Sequence, residues 1–164
     1  IKDAIMFAKL ENFSLHDFKT DESLLAELIE QNVLIKTGIV INEEFEMGER
    51  KLLNFGHTIG HAIENLHELS HGQAISIGMV AACNLSEKIN RFHFEEAIRI
   101  VKLLAKYQLP VDIETEHEAV FDMLKMDKKR NNHQLNFILL NKIGEAVIVP
   151  IELEVLRNYL KEIV

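Results

Sequence analysis

Apolar residues recur along the chain mostly at the three- and four-residue spacing of a helix face, interrupted by short polar stretches. Ile1, Ile5 and Ala8 share one such face, and the pattern fades between Asn12 and Ser14. Thr20 or Asp21 can cap a second helix, in which Leu24, Leu25, Leu28, Ile29, Val33, Ile35, Ile39 and Val40 carry the rhythm to Ile41. The acidic stretch Asn42-Glu43-Glu44-Phe45-Glu46-Met47-Gly48 breaks it, and Leu52, Leu53, Phe55, Ile59, Ala62, Ile63 and Leu66 resume it. A loop is therefore expected to deliver Glu46 and Arg50 to the start of a helix.

Residues 74–85 are apolar nearly all round, the pattern of a helix enclosed by others. Residues 93–109 are amphipathic and stop before Pro110, where a continuing helix would lose a hydrogen bond. Val120, Phe121 and Leu124 mark a short helix that runs into Asp127-Lys128-Lys129-Arg130-Asn131-Asn132. Residues 135–140 and 146–149 flank a turn at Asn141 to Glu145 and predict a small hairpin, after which residues 152–163 close as a helix. With no repeat, low-complexity tract or linker, residues 1–164 read as one domain. The expected fold is mainly α, a helical bundle with a small β-hairpin near the C-terminus.

Composition supports this picture. In 164 residues, 48% are hydrophobic and 27% charged, with 7 Gly and 2 Pro. That excludes disorder, collagen-like repeats and a Gly/Pro-rich β-sandwich. The net charge of −8 means that an anionic ligand must be met by a local cluster of cations, and argues against nucleic acid as a partner. A single cysteine, Cys83, cannot close an internal disulfide, which suits a reducing cytoplasm and a small buried side chain. No apolar run approaches the ~18–20 residues that cross a bilayer, and no secretory signal opens the sequence, so a soluble cytoplasmic protein is expected. Ile1-Lys2-Asp3-Ala4-Ile5-Met6-Phe7 reads as uncapped mid-helix text, as in a fragment of a longer protein.

The candidate chemistry lies in Arg50-Lys-Leu-Leu-Asn54-Phe-Gly-His57-Thr-Ile-Gly-His61-Ala-Ile-Glu64, followed by His71-Gly72. At about 100° per residue, positions 57, 61, 64, 68 and 71 would share one stripe if a single helix ran through them. His57 and His61, at i and i+4, can bind one metal ion. Such a pair is weak evidence alone, but Gly56 and Gly60 strengthen it. Each costs ~1 kcal/mol in a helix interior, and close approach of a ligand or a second backbone is the usual reason for one. Glu64, Glu68 and Glu46 are the candidates for a third ligand. Lys2, Lys36, Arg50 and the run Lys128-Lys129-Arg130 form a cationic set suited to phosphate or carboxylate.

Asn54-Phe-Gly-His-Thr-Ile-Gly-His-Ala-Ile-Glu64, preceded by Glu46 and Arg50 and followed by His71-Gly72-Gln-Ala-Ile-Ser-Ile-Gly-Met79, closely resembles the signature of the 3-dehydroquinate synthase family. The resemblance runs back through Lys36 and Lys2 and forward through Asp127-Lys128-Lys129 to Gly144, which corresponds to that family's mostly helical C-terminal domain. It implies that His57 and His71 ligate a divalent metal, zinc or cobalt, and that His61 is an acid/base group rather than a ligand. It further implies proton transfer by Glu46, and contacts from Lys2, Lys36, Arg50, Asn54 and Lys128 or Lys129 to the substrate's carboxylate, hydroxyls and phosphate.

The implied activity is that of a lyase of the shikimate pathway, leading to chorismate and the aromatic amino acids. It converts 3-deoxy-D-arabino-heptulosonate 7-phosphate to 3-dehydroquinate and phosphate with NAD as a transient oxidant, often in a homodimer. Two family features have no counterpart in residues 1–164: a metal-binding Glu just upstream of Ile1, and an N-terminal NAD-binding domain. The chain alone is therefore expected to be inactive. Rival readings are a related sugar-phosphate cyclase, a metal-dependent polyol or glycerol-phosphate dehydrogenase, and a non-catalytic helical interaction module.

Overall fold

Asp3 caps the first helix in the computed structural model, its carboxylate accepting a hydrogen bond from the Met6 N–H at 2.8 Å. The text that reads as mid-helix is thus a capped start. The structure describes residues 1–42, 48–126 and 133–163. Helix α1 (Ala4–Asn12) is followed by a six-residue α2 (Leu15–Thr20), too short to register as a periodic pattern, and held by reciprocal hydrogen bonds between Ser14 and Asp17. The long α3 (Glu22–Asn42) comes next, then a 3-10 helix (Glu49–Asn54), α4 (His57–Leu66), α5 (His71–Asn90), α6 (Phe94–Lys106) and α7 (His117–Met126). Strands β1 (Gln134–Lys142) and β2 (Glu145–Glu152) form an antiparallel hairpin, and α8 (Leu153–Ile163) ends the described chain. This is a mainly α fold with a hairpin near the C-terminus, as expected.

Helix α5 is the centre. Ten of its residues from Ala74 to Ser86 are buried, because α4, α6, α8 and β1 all pack around it. The hairpin explains how one apolar run serves two cores. Side chains alternate across a strand. Leu135, Phe137 and Leu139 enter a larger cluster with α4, α5, α7 and α8, while Ile138 and Leu140 enter a smaller one with Leu52, Phe55, Phe92 and α6. The strand is joined to α5 through Ser86, whose hydroxyl donates to the Ala82 carbonyl at 2.6 Å and accepts the Leu140 N–H at 2.9 Å. Cys83 is buried in the smaller cluster, and burial pushes its thiol pKa up to about 12, so it is an inert core residue.

Helix α3 departs from its sequence pattern. Among its described side chains only Ile39 is buried, whereas Ile29, Val33, Leu34 and Ile41 are more than half exposed. No helix among the described residues is long and apolar enough to cross a membrane.

Candidate metal centre

Three glycines bring α4 and α5 together. Gly56 adopts a left-handed conformation (φ 81°) that turns the chain from the 3-10 helix into α4. Opposite it, a Cβ on Gly78 of α5 would lie 2.1 Å from the Gly56 carbonyl oxygen and 2.6 Å from the Gly60 nitrogen. A Cβ on Gly60 would lie 3.0 Å from the Ile75 Cα. The close approach signalled by Gly56 and Gly60 is therefore that of a second backbone. Gly56 and Gly60 meet Gly78 and Ile75 in reverse order, so the two helices run antiparallel, joined by residues 67–70.

The helix that would have carried positions 57 to 71 on one stripe ends at Leu66. A new one starts at His71, where Ser70 and Gln73 form a capping box. The Ser-x-x-Gln spacing was the available signal for that break. Because α5 turns back along α4, His71 returns to the face that carries His57 and His61. One ligand nitrogen from each of the three lies within 4.8 Å of the other two. Their ring centroids are 5.4 Å apart for His57 and His61, and 5.7 Å for His71 to either of the others.

Hydrogen bonds distinguish the three rings. His57 Nδ1 lies 3.2 Å from the Phe55 carbonyl oxygen, which can only accept, so Nδ1 carries the proton and Nε2 the lone pair. His71 Nδ1 lies 3.0 Å from Glu64 Oε2, and a carboxylate acceptor imposes the same tautomer. No hydrogen-bond partner among the described residues holds the His61 ring, which lines an open cleft of about 610 Å³ with Thr58, Glu64, Asn65, Met123 and Met126. Burial holds the His57 pKa below the ordinary histidine value, with a smaller contribution in the same direction from the neighbouring His61 and His71. Clustered imidazoles, two of them presenting Nε2, are a donor set that fits a zinc- or cobalt-like divalent cation.

The remaining candidates are distributed around this cluster. Glu64, a possible third ligand, engages His71 instead, and Glu68 lies beyond the end of α4. Lys2 and Lys36 line a separate pocket of about 230 Å³ with Asp3, Asn32 and Leu53, and Lys2 is ion-paired to Glu49 at 2.8 Å. Arg50 and Asn54 sit on the 3-10 helix that leads into Gly56, Arg50 half-buried and Asn54 exposed. Glu46, Lys128 and Lys129 lie outside the described residues.

Residues 1–130 match the family described as 3-dehydroquinate synthase C-terminal. A 3-dehydroquinate synthase of Campylobacter curvus is 42% identical over 150 residues, which cover 89% of this chain and 42% of that protein. The enzyme of that name from Clostridium perfringens is 40% identical over 153 residues, 90% of this chain and 43% of that protein. The chain thus spans less than half the length of these relatives. Among solved structures, a 2-epi-5-epi-valiolone synthase of Streptomyces hygroscopicus subsp. jinggangensis, with NAD+ and Zn2+ bound, superposes with a TM-score of 0.82 over 99% of this chain and 47% of its own, at 22% identity. A 2-deoxy-scyllo-inosose synthase, complexed with carbaglucose-6-phosphate, NAD+ and Co2+, gives 0.62 over 73% of this chain and 36% of its own, at 26% identity.

Proposed function

The chain belongs to the 3-dehydroquinate synthase family, matching the model of its C-terminal domain, and from that premise we propose that it is the metal- and substrate-binding part of such a synthase. The observation that carries this reading is the convergence of His57, His61 and His71 across the α4–α5 contact. The reaction is the conversion of 3-deoxy-D-arabino-heptulosonate 7-phosphate to 3-dehydroquinate and phosphate, a cytoplasmic step of the shikimate pathway. In the complete protein a preceding domain binds NAD, and two copies form a homodimer. The length of the relatives leaves room for such a domain.

His57 and His71 would hold the divalent cation, each with Nε2 available, and a further ligand would come from outside the three-histidine cluster. When bound, the cation supplies positive charge beside the substrate's hydroxyl and ketone oxygens, and NAD supplies reversible hydride acceptance. His61, whose ring no hydrogen bond from the described residues fixes, takes and returns a proton at the cleft, and Glu46 is a second proton-transfer group. Lys2, Lys36, Arg50, Asn54 and Lys128 or Lys129 place the carboxylate, hydroxyls and phosphate, their charges compensating the dianionic leaving group locally in a chain of net −8.

The curated relatives at 40–42% identity carry the dehydroquinate synthase name, which favours it over inosose- or valiolone-forming cyclases. The test is phosphate release from the heptulosonate phosphate by this chain joined to its nucleotide-binding domain, with NAD and zinc or cobalt. Expected are 3-dehydroquinate, phosphate and no net NADH. A folded, metal-loaded enzyme that releases no phosphate, or one that accumulates NADH, rules the reading out.

A further inference from the structure

His71 is the first residue of α5, and its side chain is 56% exposed. The His57 and His61 rings stand 5.7 Å from it by centroid, but such ring contacts do not select a tautomer, and a free imidazole in water exchanges between two. The contact that restricts it is the hydrogen bond from Nδ1–H to Glu64 Oε2 at 3.0 Å. Glu64 is two turns along α4 from His57, so at about 100° per residue it stands on nearly the same face as that ring. It is better sheltered than the imidazole it holds, with 34% of its side chain exposed. The antiparallel α4–α5 contact sets its carboxylate beside the start of α5.

We propose that Glu64 is a positioning residue for the metal centre, which fixes His71 with Nδ1 protonated and Nε2 available to the cation, and whose negative charge raises the donor strength of that ring. This rests on the reading of His57 and His71 as ligands. His57 receives the corresponding service from the Phe55 carbonyl, a neutral backbone acceptor, so Glu64 is the anionic partner of the pair. A carboxylate that accepts from a ligand's other nitrogen contributes through the ring and not by binding the ion. Removing it should weaken metal binding without altering the ligand set.

The test uses the 164-residue chain and three variants, Glu64→Ala, Glu64→Gln and His57→Ala, with folding checked by circular dichroism. Nitrogen-15 NMR of the metal-free chain at about pH 8, where a histidine of ordinary pKa near 6.5 is neutral, reads the tautomer. His71 should be Nδ1-protonated in the parent and in Glu64→Gln, whose amide oxygen still accepts, and a mixture in Glu64→Ala. Calorimetric titration with zinc should show a loss of affinity of about 10–100-fold in Glu64→Ala and a smaller one in Glu64→Gln. The visible bands of the cobalt form should keep their shape in Glu64→Gln.

An Nδ1-protonated His71 in Glu64→Ala, with parental zinc affinity, removes the proposal while leaving the metal reading intact if His57→Ala still loses zinc. A cobalt spectrum reshaped in Glu64→Gln would instead make Glu64 a direct ligand and overturn the positioning role. Zinc affinity unchanged in His57→Ala would remove the metal reading itself, and this inference with it.

Discussion

His57 and His61 are one helical turn apart and resemble each other in sequence, yet their surroundings differ. His57 is half-buried with Nδ1 committed to Phe55, whereas His61 is exposed at the cleft. On the proposed reading, in this chain joined to a nucleotide-binding domain, His57→Ala is expected to lower metal affinity, and His61→Ala to spare the metal and depress turnover by about 10²–10⁴-fold, the usual contribution of a positioned acid/base group. Metal content and steady-state rates measured on both variants check this, and equal metal loss in both would overturn the division of roles. Burial and the adjacent imidazoles keep the His57 pKa low, so between its native value and about 6.5 the unfolded chain binds the extra proton. The stabilisation by neutral His57 is therefore full above about pH 6.5 and lost as the pH falls through the lower native value. The melting temperature of the metal-free chain should drop on acidification, less steeply in His57→Gln, and an identical slope in that variant would show that His57 is not responsible. At this scale, the i, i+4 rule could pair His57 with His61 but could not reach His71, which enters only through a change of helix direction; family resemblance supplied it.

At the scale of elements, the site depends on how closely two helices can approach. Gly78 belongs to a run that reads simply as buried helix, but any side chain there would overlap backbone atoms of Gly56 and Gly60, which cannot rotate away as a side chain can. Gly78→Ala should cost about 1–3 kcal/mol, the range for overpacking, and should part α4 from α5. Chemical denaturation measures the first effect and zinc titration the second, because widening the contact separates His57 and His61 from His71. A variant with parental stability and zinc affinity would show that the contact tolerates a methyl group. The two ends of these helices were legible to different degrees. Gly56 was legible as a glycine kept for close approach, but inside a rhythm resuming at Leu52 and not as the left-handed turn that starts α4, whereas the stop at Leu66 follows from Ser70 and Gln73 capping the next helix, a local hydrogen-bond device that apolar periodicity does not register. The same holds for α2, which Ser14 and Asp17 define.

Across the described residues, apolar pattern and burial part company at Ile5 of α1, which is 85% exposed, and over most of α3. The runs that became α5 and β1 are buried because other elements surround them, and the hairpin divides the interior into two clusters. Among the described residues, the equally apolar α3 supplies no side chain to either cluster. Periodicity identifies a helix without saying how many of its faces find partners, so the extent of α3 was readable and its exposure was not. Among the described residues, α3 is held by one buried side chain, Ile39 near its end, by packing on α2 and the 3-10 helix, and by contacts such as the Lys9–Glu27 ion pair at 2.7 Å, a partly exposed pair of the kind that contributes at most about 1 kcal/mol. Local opening is easiest where little apolar surface is lost on opening. In native-state hydrogen exchange of the 164-residue chain, amides of α5 between Ala74 and Ser86 should be the slowest, opening only with the whole fold. Those of α3 before Ile39 should exchange at lower opening free energies and respond less to denaturant, since their opening exposes less surface. If α3 and α5 instead exchanged with one common free energy and one common denaturant dependence, the long helix would be part of the same cooperative unit as the three-histidine cluster.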